Sequence, residues 1–213
     1  MRHLIVNADD FGYSFSVNKG IIEAHLKGIV TSTSVLVDAI AAQEAIGLVT
    51  YKGLSVGLHF EVQDFEQVEQ ELERQITKFI AMVGKRPDHI DTHKLHTSHE
   101  ALRGALLAYA KRYHVPIREL TGIKFIESFM GFRSEGDVSV RRLKAAIDEV
   151  TDDCNELMCH VGYSDDYLRT KSSYNDKREE ELTSICNSEI KAYLQEKGIE
   201  LINWTQLPAE ILL

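Results

Sequence analysis

Asp9 and Asp10 stand side by side where the apolar run Leu4-Ile5-Val6 gives way to Phe11-Gly12. Adjacent carboxylates at a strand end can divide a task, one binding a metal and the other handling protons. Asp and Gly also favour plain turns, through local hydrogen bonds and positive φ, so the pair alone decides nothing. Three further places carry ligand-type side chains. They are His59 in Val56-Gly57-Leu58-His59-Phe60, the run His89-Ile90-Asp91-Thr92-His93, and His160 in Met158-Cys159-His160-Val161-Gly162. A divalent metal needs three or four N or O ligands from separate elements and an open position for water. Two imidazoles and one carboxylate are the standard composition of such a site. His89, Asp91 and His93 recur at period two, so they can share one face of a strand. Taken alone, His59 reads equally well as a core histidine, whereas the alternating run fits a ligand face better than a polar edge strand. His96 and His99 read as surface residues at a helix start that Thr97 or Ser98 could cap.

The elements that must hold these residues alternate. Strands are expected near 3–8, 29–37, 54–60, 89–92, 115–118, 123–127, 157–161 and 199–203. Between them fall helical stretches near 16–27 and 38–51, and one carrying Phe65, Val68, Leu72, Ile76, Phe79 and Val83 at spacings of three and four. Others present Leu102, Ala105, Leu106 and Tyr109, then Val140, Leu143, Ile147 and Val150. A long charged helix is expected over 176–197, and Tyr163 to Asp176 reads as a loop over the strand ends. Alternation throughout is the signature of a parallel α/β sheet or barrel. Without a glycine-rich phosphate loop, the fold class expected is α/β, a deformed (β/α) TIM-like barrel of about seven parallel strands, with residues 1–213 as one domain.

The formal charge of −9 and pI near 5.5 exclude a phosphate-backbone binder, so no nucleic-acid partner is expected. No apolar run reaches the roughly 18–20 residues of a membrane span, and no signal segment opens the chain, so a cytoplasmic protein without membrane contact is expected. Cys154, Cys159 and Cys186 form no Cys-x-x-Cys and read as reduced, packed thiols. A Cys159–His160 nucleophile carries little weight, because neighbours along a strand face opposite ways. A homodimer is left open.

Asn7-Ala8-Asp9-Asp10-Phe11-Gly12, Gly20-Ile21-Ile22-Glu23-Ala24, Gly28-Ile29-Val30-Thr31-Ser32-Thr33, Val56-Gly57-Leu58-His59-Phe60 and His89-Ile90-Asp91-Thr92-His93 occur in this order across nearly the whole chain. Together they resemble the YdjC-like (ChbG-type) carbohydrate deacetylases, metal-dependent deformed barrels that remove acetyl groups from N-acetylated sugars such as chitooligosaccharides. The resemblance implies Asp10, His59 and His93 as metal ligands and Asp9 as the catalytic base. Three departures stand out. Lys94-Leu95-His96 breaks the family's alternating histidines, Glu61-Val62-Gln63 replaces the start of a long substrate-lining loop, and Val161 follows His160 where proline is usual.

The reaction expected is hydrolysis of an N-acetyl group on a small amino sugar or oligosaccharide, by metal-activated water with Asp9 as base. His160 is the candidate acid for the leaving amine, with water itself as the alternative donor. Arg118 could orient Asp9 or bind sugar hydroxyls, and a structural salt bridge is equally consistent. Imidazole ligands favour Zn²⁺ or Co²⁺ and oxygen ligands Mg²⁺ or Mn²⁺; Zn²⁺ is preferred, although Mg²⁺ occupies the family site. Two other readings remain: a metal hydrolase of another amide or a phosphoester, and a catalytically inactive sugar-binding barrel. Only 29 residues separate His59 from His89, and a helix takes most of them. An open cleft with weak discrimination of sugar length is therefore expected unless Tyr163 to Asp176 or a partner subunit covers it.

Overall fold

The computed structural model describes residues 2–49, 52–94, 97–131, 136–151 and 153–208. β1 (Arg2–Phe11) is the central strand of a curled, all-parallel sheet. Around it lie β2 (Ser32–Val35), β3 (Ser55–Phe60), β4 (Ile90–Thr92), β5 (Lys124–Ile126), β6 (Cys154–Cys159) and β7 (Ile199–Leu201), in the order β4-β3-β2-β1-β6-β5. β7 also pairs with β1. It takes Arg2–Leu4 on one edge, while β2 takes Asn7 to Phe11. The result is a deformed, partly open barrel, the α/β architecture expected.

The helices are α1 (Phe15–Lys27), α2 (Ala42–Leu48), α3 (Val68–Val83), α4 (Glu100–Tyr113), α5 (Val140–Ile147), α6 (Asp166–Lys171), α7 (Asp176–Ile185) and α8 (Ser188–Glu196). α1 and α3 follow the sequence expectation closely. Ser14 caps α1 by accepting from Val17 N, and Gly84 ends α3 in the left-handed conformation, φ 82°. Four expectations are corrected. Residues 115–118 make only a single parallel bridge, Ile90 to Ile117. The helix over 176–197 is two helices, broken at Cys186-Asn187, where the Asn187 side chain caps α8 by accepting from Glu189 N. Tyr163 to Asp176 contains α6, started by the Asp165 carboxylate on Leu168 N. At α4 neither Thr97 nor Ser98 caps: His99 is the N-cap residue and makes no side-chain cap, while Thr97 Oγ1 donates to Glu119. His96 lies outside the described residues.

Alternation along the strands sorts the side chains into two layers. Leu4, Val6 and Ala8 of β1 join Val56, Leu58 and Phe60 of β3, Ile90 of β4 and Leu157 and Cys159 of β6 in the core shared with the helices. The opposite set faces the barrel interior. Ile5, Ile123, Cys154, Ile202 and Trp204 form a small apolar floor. Above it stand Asn7, His89, Asp91, Glu156 and Arg118, all buried. Among the described residues, no helix is long and apolar enough to cross a membrane.

Candidate active site

A regular strand cannot turn Asp9 and Asp10 to the same side. β1 resolves this with an extra residue: Ala8 pairs with Thr33 and Phe11 with Val35, three steps against two, a bulge spanning the two carboxylates. Asp10 sits at φ 70°, a left-handed conformation that Asp tolerates better than most residues. Both carboxylates therefore reach His59, Asp10 Oδ1 at 3.3 Å from Nε2 and Asp9 Oδ2 at 4.0 Å from Nδ1. Gly12 follows at φ 96°, where a Cβ would lie 2.9 Å from the Ala42 backbone, so the motif's glycine is fixed by both backbone and space.

Asp10, His59 and His93 each offer a ligand atom within 4.8 Å of the others. They come from the ends of β1, β3 and β4. Asp10 Oδ1 and His59 Nε2 are buried, face each other, and have no hydrogen-bond partner among the described residues. An orphaned carboxylate oxygen opposite an orphaned imidazole nitrogen fits a cation between them, and the donor set is that of an open divalent site. His93, 23% exposed, stands at the mouth with Nδ1 3.3 Å from Glu61 Oε1. A second trio, Asp9, His59 and Asp91, is equally compact. There, however, the Arg118 guanidinium lies 2.7 Å from Asp9 and 2.9 Å from Asp91, so a cation is already present.

Arg118 holds the interior together. Its Nη1 and Nη2 grip both oxygens of Asp9 at 2.7 and 2.8 Å, and Nε reaches Glu156 at 2.8 Å. Burial works against its charge, but the three carboxylates outweigh this and hold the guanidinium protonated. Asn7 Nδ2 also donates to Asp9 at 2.7 Å. Arg118 is buried and paired with Asp9, Asp91 and Glu156, a geometry that fits both orientation of Asp9 and a structural salt bridge.

Burial tends to raise the Asp10 pKa, yet Arg178 and His59 outweigh it and keep the carboxyl well below its ordinary range. Burial opposes protonation of His59, but the charge and hydrogen bond of Asp91, with the nearby Asp10 and Asp9 carboxylates, pull the imidazole well above its usual value. His160 directly follows β6, and desolvation drives its pKa down to about 4, so it is neutral near pH 7. Burial pushes the Cys159 thiol well up and its side chain packs in the helix-side core, which removes it as a nucleophile.

Three residues of the site are absent from the sequence expectations: Glu156 on β6, and Arg178 and Glu181 on α7. Arg178 Nη2 donates to Asp10 Oδ2 at 2.6 Å. One helical turn on, Glu181 Oε2 accepts from the His160 backbone N at 2.6 Å, and Tyr174 donates to Oε1. The signal was available as two charged residues at i and i+3, but α7 is charged nearly everywhere and resembled a solvated face.

Comparison with known proteins agrees with this architecture. A Brevibacillus brevis protein named carbohydrate deacetylase is 31% identical over 246 residues, 96% of this chain and 99% of the relative. A Geobacillus stearothermophilus protein of the same name is 32% identical, over 96% and 98%. The crystal structure of an Enterococcus faecalis V583 protein, provisionally described as a cellobiose-phosphate cleavage protein, superimposes with a TM-score of 0.85 at 27% identity, covering 96% and 98%. A Clostridium thermocellum family 4 acetyl xylan esterase, solved with a cobalt ion, shares the fold at a TM-score of 0.62 and 13% identity, covering 98% and 94%. The 246 aligned residues exceed this chain's 213, so the Brevibacillus relative carries segments absent here. The family model described as YdjC-like protein matches in two stretches, 3–66 and 60–196, which meet at the shortened segment after His59. Those stretches span most of the chain, and the chain belongs to the YdjC-like family.

Proposed function

We propose that this protein is a metal-dependent deacetylase that removes N-acetyl groups from small amino sugars or their short oligomers, of the chitooligosaccharide type. The observation that carries the reading is the pair of buried, partnerless atoms on Asp10 and His59, beside His93 and open to the mouth. Near-full-length relatives named carbohydrate deacetylase support the class of reaction and a carbohydrate substrate. Asp10, His59 and His93 would hold one divalent ion, and two imidazoles in three ligands favour Zn²⁺ over Mg²⁺. Such an ion supplies polarisation of the acetyl carbonyl and a lower pKa for water.

The chain's own residues do the rest. Asp9, fixed by Arg118 and Asn7, takes the proton of the attacking water. The water oxygen joins the acyl carbon, the C–N bond breaks, and the departing nitrogen takes a proton. His160 delivers that proton. Being neutral at rest, it acquires the proton within the turnover, from Asp9 or from solvent. Asp91 keeps the His59 ring oriented with Nδ1–H toward it, leaving Nε2 for the ion. The short β3–α3 connection supplies no lid on that side among the described residues, so kcat/KM should be similar for N-acetylglucosamine and its short β-1,4 oligomers. α6 covers part of the opposite side, where Tyr13 donates to the Lys171 carbonyl.

The test is metal analysis of the purified protein together with acetate release from a panel of N-acetyl sugars. Metal with acetate release supports the reading. Metal with hydrolysis of a phosphoester or non-sugar amide alone replaces the substrate class. Absence of both leaves an inactive sugar-binding barrel.

A further inference from the structure

Arg178 is the least expected charge at this site. It is 3% exposed, on the buried face of α7. Nη2 donates to Asp10 Oδ2, and Nε donates to the Tyr174 carbonyl at 3.0 Å. The guanidinium carbon lies 5.8 Å from the ring centroids of both Tyr13 and Tyr174. Its charge is also close enough to oppose protonation of His160. Nη1 is buried, and no group among the described residues accepts from it. A guanidinium that served only to pin Asp10 would not need two N–H donors withdrawn from water and left unpaired, a costly arrangement for a charged group. Around the guanidinium stand Asp10, Tyr13, Tyr174 and His160, which are the groups around the proposed reaction centre.

We propose that Arg178 contacts the substrate: Nη1 donates to the acyl oxygen as it gains negative charge during attack, and afterwards to the acetate product. This rests on the deacetylase reading and extends it with a second, fixed cation for the acyl group. A preorganised donor aimed at developing charge, in a site shielded from water, contributes far more than the same donor in solvent. The second nitrogen of the fork keeps Asp10 in place at the same time, so one side chain links the ligand set to the substrate.

The experiment compares the wild type with Arg178→Gln and Arg178→Lys, all saturated with Zn²⁺, with N-acetylglucosamine as substrate and acetate as inhibitor. A lysine can keep Asp10 paired but lacks the rigid fork that reaches a second oxygen. In both variants kcat should fall about 10²–10³-fold with KM little changed, and inhibition by acetate should weaken. Zn²⁺ affinity, read by calorimetry, should be close to wild type in Arg178→Lys. If kcat of the variants is close to wild type under this Zn²⁺ saturation, Arg178 acts only by holding Asp10 and the proposal is overturned; unaltered acetate inhibition overturns it too. Should the glutamine variant not fold, the lysine variant carries the comparison. In the wild type, an Arg178 ¹⁵N resonance unmoved by saturating acetate refutes the contact without any substitution. A wild type that releases no acetate from any sugar defeats the deacetylase reading instead, and acetate binding to the Zn²⁺-loaded proteins still tests Arg178.

Discussion

His59 bridges two carboxylates: Nδ1 lies 2.6 Å from Asp91 Oδ1 while Nε2 lies 3.3 Å from Asp10 Oδ1. Asp91 therefore fixes the ring and its tautomer. Together with Asp10 and Asp9 it also holds His59 protonated while no metal is present, since the combined carboxylates outweigh the effect of burial. A ligand must shed that proton, so metal uptake near pH 7 should release protons and weaken as pH falls. Calorimetry in two buffers of different ionisation enthalpy measures the release. Asp91→Asn removes the orienting charge and should lower metal affinity about 10–100-fold, the usual effect of losing such an outer partner.

Asp9 and Asp10 should separate cleanly by substitution. Asp9→Asn is expected to cut kcat about 10²–10⁴-fold while metal content stays near wild type. Asp10→Asn and His59→Ala should lose metal as well as turnover. Retention of metal by Asp10→Asn with loss from Asp9→Asn would exchange the two roles.

Gly57 faces the barrel interior, where an added Cβ would lie 2.3–2.6 Å from three atoms of the His89 ring. That ring cannot slide away, because it is fully buried and stacks on Trp204 at 4.6 Å and 9°. Gly57→Ala should destabilise the fold by about 1–3 kcal/mol, as overpacked cores do. Denaturant melts measure it, and a smaller penalty for the same change in a His89→Ala background would identify the ring as the obstacle.

Glu181 is fully buried, and desolvation raises its pKa from 4.5 to about 7, against the bonds from Tyr174 and His160. The native state thus keeps a proton that the unfolded chain gives up above pH 4.5. Its contribution to stability falls as pH rises through that window and levels off above about 7, with a span on the order of 3 kcal/mol. Glu181→Gln lacks this slope. The stability of the variant relative to wild type should therefore grow from pH 4.5 to 7, and a difference independent of pH would contradict the assignment.

The periodicities in the sequence were enough for the barrel and for the strand ends that carry Asp9, His59 and Asp91. Period-two runs ending in Asp9, His59 and Asp91 fix which face those side chains take, because a strand's geometry is local. The same rule misplaces Asp10, which shares parity with Leu4, Val6 and Ala8; only the bulge opposite Thr33 and Val35 turns it toward His59. Pairing between strands decides that bulge, and no stretch of β1 encodes its partner's register. Arg178, Glu181 and Glu156 lie 168, 21 and 38 residues from Asp10, His160 and Arg118 respectively. A charged residue on a helix has the same local pattern whether it meets water or a buried carboxylate. The break at Cys186-Asn187 swings α7 separately from α8, and tertiary packing then sets its Arg178–Glu181 face against the mouth. The amino-acid sequence by itself determined the Asp and His side chains and the strand ends that carry them. The tertiary structure decided which counter-charges surround them, because burial and long-range pairing choose one partner among many chemically equivalent ones.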